Sequence, residues 1–209
     1  MWAHERAAWA DGHRVVAGVD EVGRGPLAGP VVSACVVLGR GLDPDGIDDS
    51  KKLTPAQRNT AYERILRHAL AIGVGIVDRE KIDTINILRA SQLSMRVAIR
   101  ALRPAMSPSL VLVDGLPVPD LPCAASRAIV GGDACSISIA AASIVAKVTR
   151  DRIMVAYDSL FPGYGFAQHK GYSAVGHFAA LRALGPCPIH RRSFAPVAEL
   201  LMPGLFDDE

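Results

Sequence analysis

Three aliphatic runs in this chain end on or just before carboxylates, and that pattern limits how the chain can fold. The first run, from Val15 to Val19, ends on the adjacent acids Asp20 and Glu21 and is followed by Gly23-Arg24-Gly25. The second, Leu110 to Val113, closes on Asp114 and Gly115. The third, Ala128 to Val130, passes through Gly131-Gly132 to Asp133. Short runs of β-branched and aliphatic residues read as buried strands. A sheet brings the ends of such segments, distant in sequence, into one cleft. Carboxylates gathered there without cations repel one another and take up protons. A hard divalent cation held by oxygen ligands removes the conflict, and Mg²⁺ or Mn²⁺ fits best. The pattern points to a metal-dependent hydrolytic site, with a phosphodiester as the substrate.

The rest of the chain supplies the layers such a sheet needs. Residues 15–22 and 30–38 predict paired strands joined by a glycine-rich turn, and Gly39 to Ser50 predicts a loop. Thr54-Pro55-Ala56-Gln57 opens a helix, with threonine as the cap, proline in the first turn and Gln57 completing a capping box. Ala61, Ile65 and Ala69 continue along one face of it. A strand is expected over 72–77, a helix over about 86–103 stopped by Pro104, strands at 110–113 and 127–130, and a long helix from Ser138 to Tyr157. Strands alternate with helices, so the expected fold class is α/β, a mixed sheet flanked by helices. One domain of 209 residues is expected, with a core over about 15–160 and a small helical C-terminal extension over 161–209. The tail Phe206-Asp207-Asp208-Glu209 is expected to fray.

Composition excludes several classes. No stretch approaches the ~18 uninterrupted apolar residues of a membrane span, and Met1 to Arg6 leads into no apolar signal core. Cys35, Cys123, Cys135 and Cys187 form no C-x-x-C pair, which implies reduced thiols in a cytoplasmic protein and not zinc ligands or a disulfide frame. The net charge of +2 is unevenly spread. Between residues 140 and 195, Lys147, Arg150, Arg152, Lys170, Arg182, Arg191 and Arg192 face only Asp151 and Asp158, a distribution that favours phosphate contacts. Arg89, Arg96, Arg100 and Arg103 suit a solvated helix face equally well.

The glycines after Asp20-Glu21 are spaced G-x-G-x-x-x-G with Pro26 inside, which is not a dinucleotide fingerprint. They form either a plain hairpin turn or a loop whose exposed N–H groups meet an oxygen-rich ligand. The whole segment from Val19 to Val32 closely resembles the opening motif of the type 2 ribonucleases H, the bacterial ribonuclease HII group. Asp49-Ser50-Lys51-Lys52-Leu53 resembles the second motif and Val113-Asp114-Gly115 the third. Gly132-Asp133 with Ser138 to Asp151 resembles the fourth block. Phe161 to Tyr172 and Arg191-Arg192-Ser193-Phe194 resemble the C-terminal part, so the likeness spans about residues 15 to 197 in the family's order.

That resemblance implies a ribonuclease H-like fold and a metal-dependent endoribonuclease. It implies cleavage of RNA in RNA–DNA hybrids and incision on the 5′ side of a ribonucleotide embedded in duplex DNA, leaving 3′-hydroxyl and 5′-phosphate ends. Asp20, Glu21 and Asp114 match the metal-binding carboxylates, with Asp133 completing the site, and the implied cofactor is Mn²⁺ or Mg²⁺. Two such ions sit ~3.5–4 Å apart and need a bridging carboxylate; Asp20 is assigned that role. Glu21 would point the other way in a regular strand, so either the strand ends there or the backbone bends.

Phosphate contacts carry no information about the sugar, whereas the 2′-hydroxyl does. The backbone of Gly23, Arg24 and Gly25, backed by Tyr172, resembles the family's ribonucleotide reader. Lys51, Ser143 and Lys147 are candidate phosphate ligands, although Lys51 could equally pair with Asp48 or Asp49 and Lys147 could be a surface charge. His169, His177 and His190 are unevenly spaced and read as ordinary surface or core histidines. Rival readings are a resolvase-like carboxylate nuclease and a non-catalytic nucleic-acid-binding module. The Gly-Arg-Gly loop counts against the first and the four acids against the second. The sequence points to no protein partner, and a monomer is expected.

Overall fold

A computed structural model describes residues 1–202 of the chain; the acidic tail Phe206–Glu209 lies outside the described residues. The N-terminal half comprises α1 (Ala3–Ala10), β1 (Val16–Val22), β2 (Val31–Leu38), α2 (Pro55–His68) and β3 (Ala69–Val77). It continues through α3 (Arg79–Ile85) and α4 (Ile87–Arg100) to β4 (Leu110–Asp114) and β5 (Ser126–Ile129). The long α5 (Ile137–Leu160) follows, then the short α6 (Phe166–His169), α7 (Val175–Leu184) and α8 (Ala195–Leu201).

Strand β2 is buried along its whole length, and its residues sort by parity into two cores. Val32, Ala34, Val36 and Leu38 pack with Ala61 and Ile65 of α2 and with α5. Cys35 and Val37 pack with Met95, Ala98 and Ile99 of α4. That is the alternation of a strand covered on both faces. The sheet order is β3-β2-β1-β4-β5, with β1–β2 and β2–β3 antiparallel and β1–β4 and β4–β5 parallel. This is the mixed α/β sheet flanked by helices that the sequence predicts. Among the described residues no helix is long and apolar enough to cross a membrane.

Several boundaries depart from expectation, each for a local reason. The capping box at Thr54 forms as predicted, but α2 ends at His68 and Ala69 is already the first residue of β3, which begins three residues earlier than the alternation suggests. The expected helix over 86–103 begins at Ile87 and stops at Arg100, and Pro104–Met106 forms a separate 3₁₀ turn. Asn86, in a left-handed conformation, ends α3 and caps α4 through its side chain. The sequence reading missed both α3 and α1. The run at 128–130 is not a buried strand: β5 lies at the sheet edge, part-exposed throughout, and Val130 is 83% exposed.

Helix α5 approaches the sheet closely because β1 offers no side chain there. A Cβ added to Gly18 would run into the backbone of Ser138 and Ile139. Gly73 and Gly75 let α4 approach β3 in the same way. Gly18→Ala should therefore lift the start of α5 from β1 and cost roughly 1–3 kcal/mol or more, as overpacking does. Thermal unfolding should show Tm falling by about 2–4 °C for each kcal/mol. An unchanged Tm would mean that the close approach is not what seats the helix.

Candidate active site

Parallel pairing sets Val19 opposite Val113, so the residues that follow them, Asp20 and Asp114, leave neighbouring strands at the same level. The third acid arrives from the turn between β5 and α5. Gly131 takes a left-handed conformation, Gly132 N–H donates to Asp114 Oδ1 at 2.7 Å, and Asp133 follows in a single 3₁₀ turn. One carboxylate oxygen from each of Asp20, Asp114 and Asp133 lies within 4.8 Å of the other two. Asp20 and Asp133 are buried and Asp114 is half-buried.

Electrostatics agree with the geometry. Burial pushes the Asp20 carboxyl well above its ordinary range, and the charges of Glu21 and Asp114 add to this. Burial likewise raises Asp133, with Asp114 and Asp49 adding to it and Lys51 opposing. Lys51 Nζ lies 3.8 Å from Asp133 Oδ2 on a side chain 79% exposed. Burial works against its charge, but Asp49, Asp133, Asp20 and Asp114 together raise its pKa. The donor set is all oxygen, crowded and short of positive charge, so it fits a hard divalent cation and does not fit a soft one.

Glu21 stands apart from the three. Strand β1 does not end at Asp20: it runs to Val22 and pairs Glu21 with Ser33, which leaves Glu21 on the opposite face of the pleat. Its carboxylate accepts from Arg24 Nη1 at 3.3 Å. Burial raises its pKa and Arg24 pulls it back; Asp114 is still near enough to push it up.

The remaining candidates flank this cluster. Ser143, on α5, is buried, shares a hydrogen bond of 2.8 Å with Ser50, and sits close enough to Asp20 to favour its charged form. Lys147, one turn on, donates to Asp151 at 2.8 Å, and burial lowers its pKa against the pull of that acid. Tyr172 is 39% exposed, with Lys147 Nζ 5.8 Å and Arg150 Cζ 5.5 Å from its ring centre. Arg24 and Gly25 are exposed while Gly23 is buried. Among the described residues the amides of Gly23, Arg24 and Gly25 donate to no other protein atom.

The basic 140–195 segment divides in a way that its composition hides. Arg150 and Arg191 are fully buried and face backbone carbonyls, so they are not surface phosphate ligands. A signal for Arg150 was present in its helical spacing from Ala146 and Met154, both buried. His177 and His190 are core residues and His169 is half-buried, within the surface-or-core reading. His190 Nδ1 accepts from Cys187 N–H, which puts the proton on Nε2; that nitrogen donates to His177 Nε2, and His177 Nδ1 donates to the Tyr172 carbonyl. Burial lowers both, His190 to about 4.

The family model for ribonuclease HII matches residues 17–197. A ribonuclease HII of Geobacter sulfurreducens is 56% identical over 202 residues, covering 96% of this chain and 91% of its own length. Among solved structures, the ribonuclease H2 of Pyrococcus horikoshii has a TM-score of 0.72 at 28% identity, covering 90% of this chain and 97% of its own. The ribonuclease HII of Archaeoglobus fulgidus, solved as a complex with PCNA, has a TM-score of 0.70 at 27% identity, covering 86% and 95%.

The crowded carboxylates predict that the site is destabilising without metal. Asp20 has a folded-state pKa above its ordinary value of 3.8, so its ionised form costs stability above the raised value and nothing below the ordinary one. In the presence of chelator, Asp20→Asn should raise Tm at neutral pH, and the gain should shrink as pH falls toward 4. Mn²⁺ should raise Tm in the wild type and much less in the variant. A variant less stable than wild type at neutral pH in chelator would contradict the crowding.

Proposed function

The chain belongs to the ribonuclease HII family, and we propose that it cleaves the RNA strand of RNA–DNA hybrids and cuts on the 5′ side of single ribonucleotides embedded in duplex DNA. The observation that carries this reading is the convergence of Asp20, Asp114 and Asp133 beside a glycine loop with unengaged amides and a half-exposed tyrosine.

Asp20, Asp114 and Asp133 would hold Mn²⁺ or Mg²⁺, and Glu21 would complete the set by giving up Arg24 for the cation. The ions would supply Lewis acidity, easing deprotonation of the attacking water and neutralising charge on the leaving 3′ oxygen. The chain's own groups orient the strand. Water attacks phosphorus and the P–O3′ bond breaks, leaving a 3′-hydroxyl and a 5′-phosphate. Lys51, exposed 3.8 Å from Asp133, would meet a phosphate oxygen, with Ser143 beside Asp20 and Lys147 one turn further along α5 as further contacts. The amides of Gly23, Arg24 and Gly25 can donate to a 2′ oxygen, and the Tyr172 ring can stack on the sugar that carries it. A site built to bond a hydroxyl strongly rejects the analogue lacking it.

A duplex with one ribonucleotide, incubated with protein and Mn²⁺, should be cut once on the 5′ side of that nucleotide. Asp114→Asn should abolish the cut while keeping hybrid binding. Activity within a few-fold of wild type would remove Asp114 from the metal site. A cut elsewhere, or equal cutting of all-DNA duplex, would favour a different nuclease.

The two lysines should separate in a salt titration. Each phosphate neutralised adds about 0.9 to the slope of log K against log salt on duplex DNA. Lys51→Ala should flatten that slope by roughly one unit. Lys147→Ala should change it less, because Asp151 already neutralises that charge. Equal effects would show that Lys147 leaves Asp151 for the substrate.

A further inference from the structure

We propose that Arg150 and Arg191 are positioning residues for ribose recognition, fixing the Gly23–Gly25 loop and Tyr172 in one arrangement before substrate arrives. This rests on the reading of that loop and Tyr172 as the ribonucleotide reader.

The two guanidinium groups are fully buried, and among the described residues neither forms an ion pair with a carboxylate. Their six hydrogen bonds all go to backbone carbonyls. Arg191 donates to Gly23 O at 2.6 Å, Arg24 O at 2.9 Å and Gly29 O at 3.0 Å. Arg150 donates to Pro30 O at 2.9 Å, Ala28 O at 3.0 Å and Lys170 O at 2.9 Å. Five of the six acceptors belong to the connection between β1 and β2, and the sixth precedes Gly171-Tyr172. Arg150 therefore ties the loop to the tyrosine segment, and its guanidinium also lies against the Tyr172 ring. Leu27 N–H donating to Gly171 O and Arg191 N–H donating to Leu27 O close the same junction, each at 2.8 Å.

The chemistry of this arrangement is directional. Pulling the carbonyls of Gly23 and Arg24 inward turns the adjoining peptide units over, so their N–H groups are left without protein partners on the outer side. Successive outward amides form a concavity for an oxygen lone pair. Two cations side by side in a buried site are costly: burial, and then the charge of Arg150, push the Arg191 pKa down to about 9. Packing alone would be served by apolar side chains; what two guanidinium forks add is six simultaneous donors in fixed planes. Gly23 is part of the fit, because a Cβ there would strike the Arg150 guanidinium.

The test is a ratio of dissociation constants. With Ca²⁺ in place of Mn²⁺ to limit cleavage, fluorescence anisotropy would compare a duplex containing one ribonucleotide with the same duplex in all-DNA form. Wild type is expected to favour the ribonucleotide duplex. Arg191→Lys and Arg150→Lys keep the charge but gather all donors on one nitrogen, which cannot span carbonyls arrayed around a planar fork, and each should reduce that preference by about tenfold or more, with all-DNA affinity within about twofold. Equal weakening of both duplexes, or an unchanged preference in a folded variant, would overturn the proposal. Tyr172→Phe separates the two levels. If wild type shows no preference and Tyr172→Phe changes nothing, the ribose reader itself is wrong. If Tyr172→Phe lowers the preference and neither arginine variant does, only the positioning role fails. Should the lysine variants not fold, ¹⁵N relaxation of the substrate-free wild type decides. Order parameters near 0.85 at the amides of 23–25 are expected, and values below about 0.6 would overturn preorganisation.

Discussion

Helix α5 can reach the active site only because a glycine lets its backbone lie against the backbone of β1. From that one approach much of the site follows. The turn that precedes the helix carries Asp133 to Asp20 and Asp114. Its second turn presents Ser143 to Asp20, its third carries Lys147, and its fourth buries Arg150 behind the β1–β2 connection. The sheet fixes two carboxylates by parallel register, and the helix delivers the third acid and the groups around it.

Two opposite solutions to buried charge sit within this framework. At the front, three carboxylates are gathered with little compensating charge from the protein, and burial raises the pKa of Asp20 and Asp133. Behind the neighbouring loop, two arginines are buried without acids and are satisfied by carbonyl dipoles. The first arrangement leaves an electrostatic deficit that a cation can fill. The second is closed within the protein, and its product is a fixed set of outward amides. The fold concentrates unfavourable charge where an ion belongs and shields it where a backbone must hold still.

Much of this was legible in the sequence. Strands at 15–22, 30–38 and 110–113 follow from aliphatic runs, and α2 follows from its capping box, because those signals are local. The convergence of Asp20, Asp114 and Asp133 was legible because each acid follows an aliphatic run that the sheet brings beside the others. What remained hidden depends on contacts between distant segments. The burial of Arg150 and Arg191 cannot be read from charge, and composition alone put them on the surface. The sequence left open whether β1 ends at Asp20; continued pairing with β2 carries the strand past Glu21, whose carboxylate meets Arg24. Helix α1 carries little periodic pattern of its own and is held by tertiary bonds. The edge position of β5 is a matter of topology, which residues 128–130 do not announce.

Those tertiary bonds give the first turn of α5 an unusual dependence. Glu5, on α1, is buried, and one of its oxygens accepts from Ser136 Oγ at 2.5 Å, Ser138 N–H at 3.0 Å and Ser138 Oγ at 2.6 Å. Ile137 N–H donates to the carbonyl of Met1 at 3.0 Å. Part of the capping of this helix, normally the task of residues beside it in sequence, thus falls to a segment at the far end of the chain. Local opening of α1 therefore removes part of the cap from the helix that follows Asp133, leaving the local cap of Ser136. Order in α1 and the seating of the helix behind Asp133 are thereby coupled.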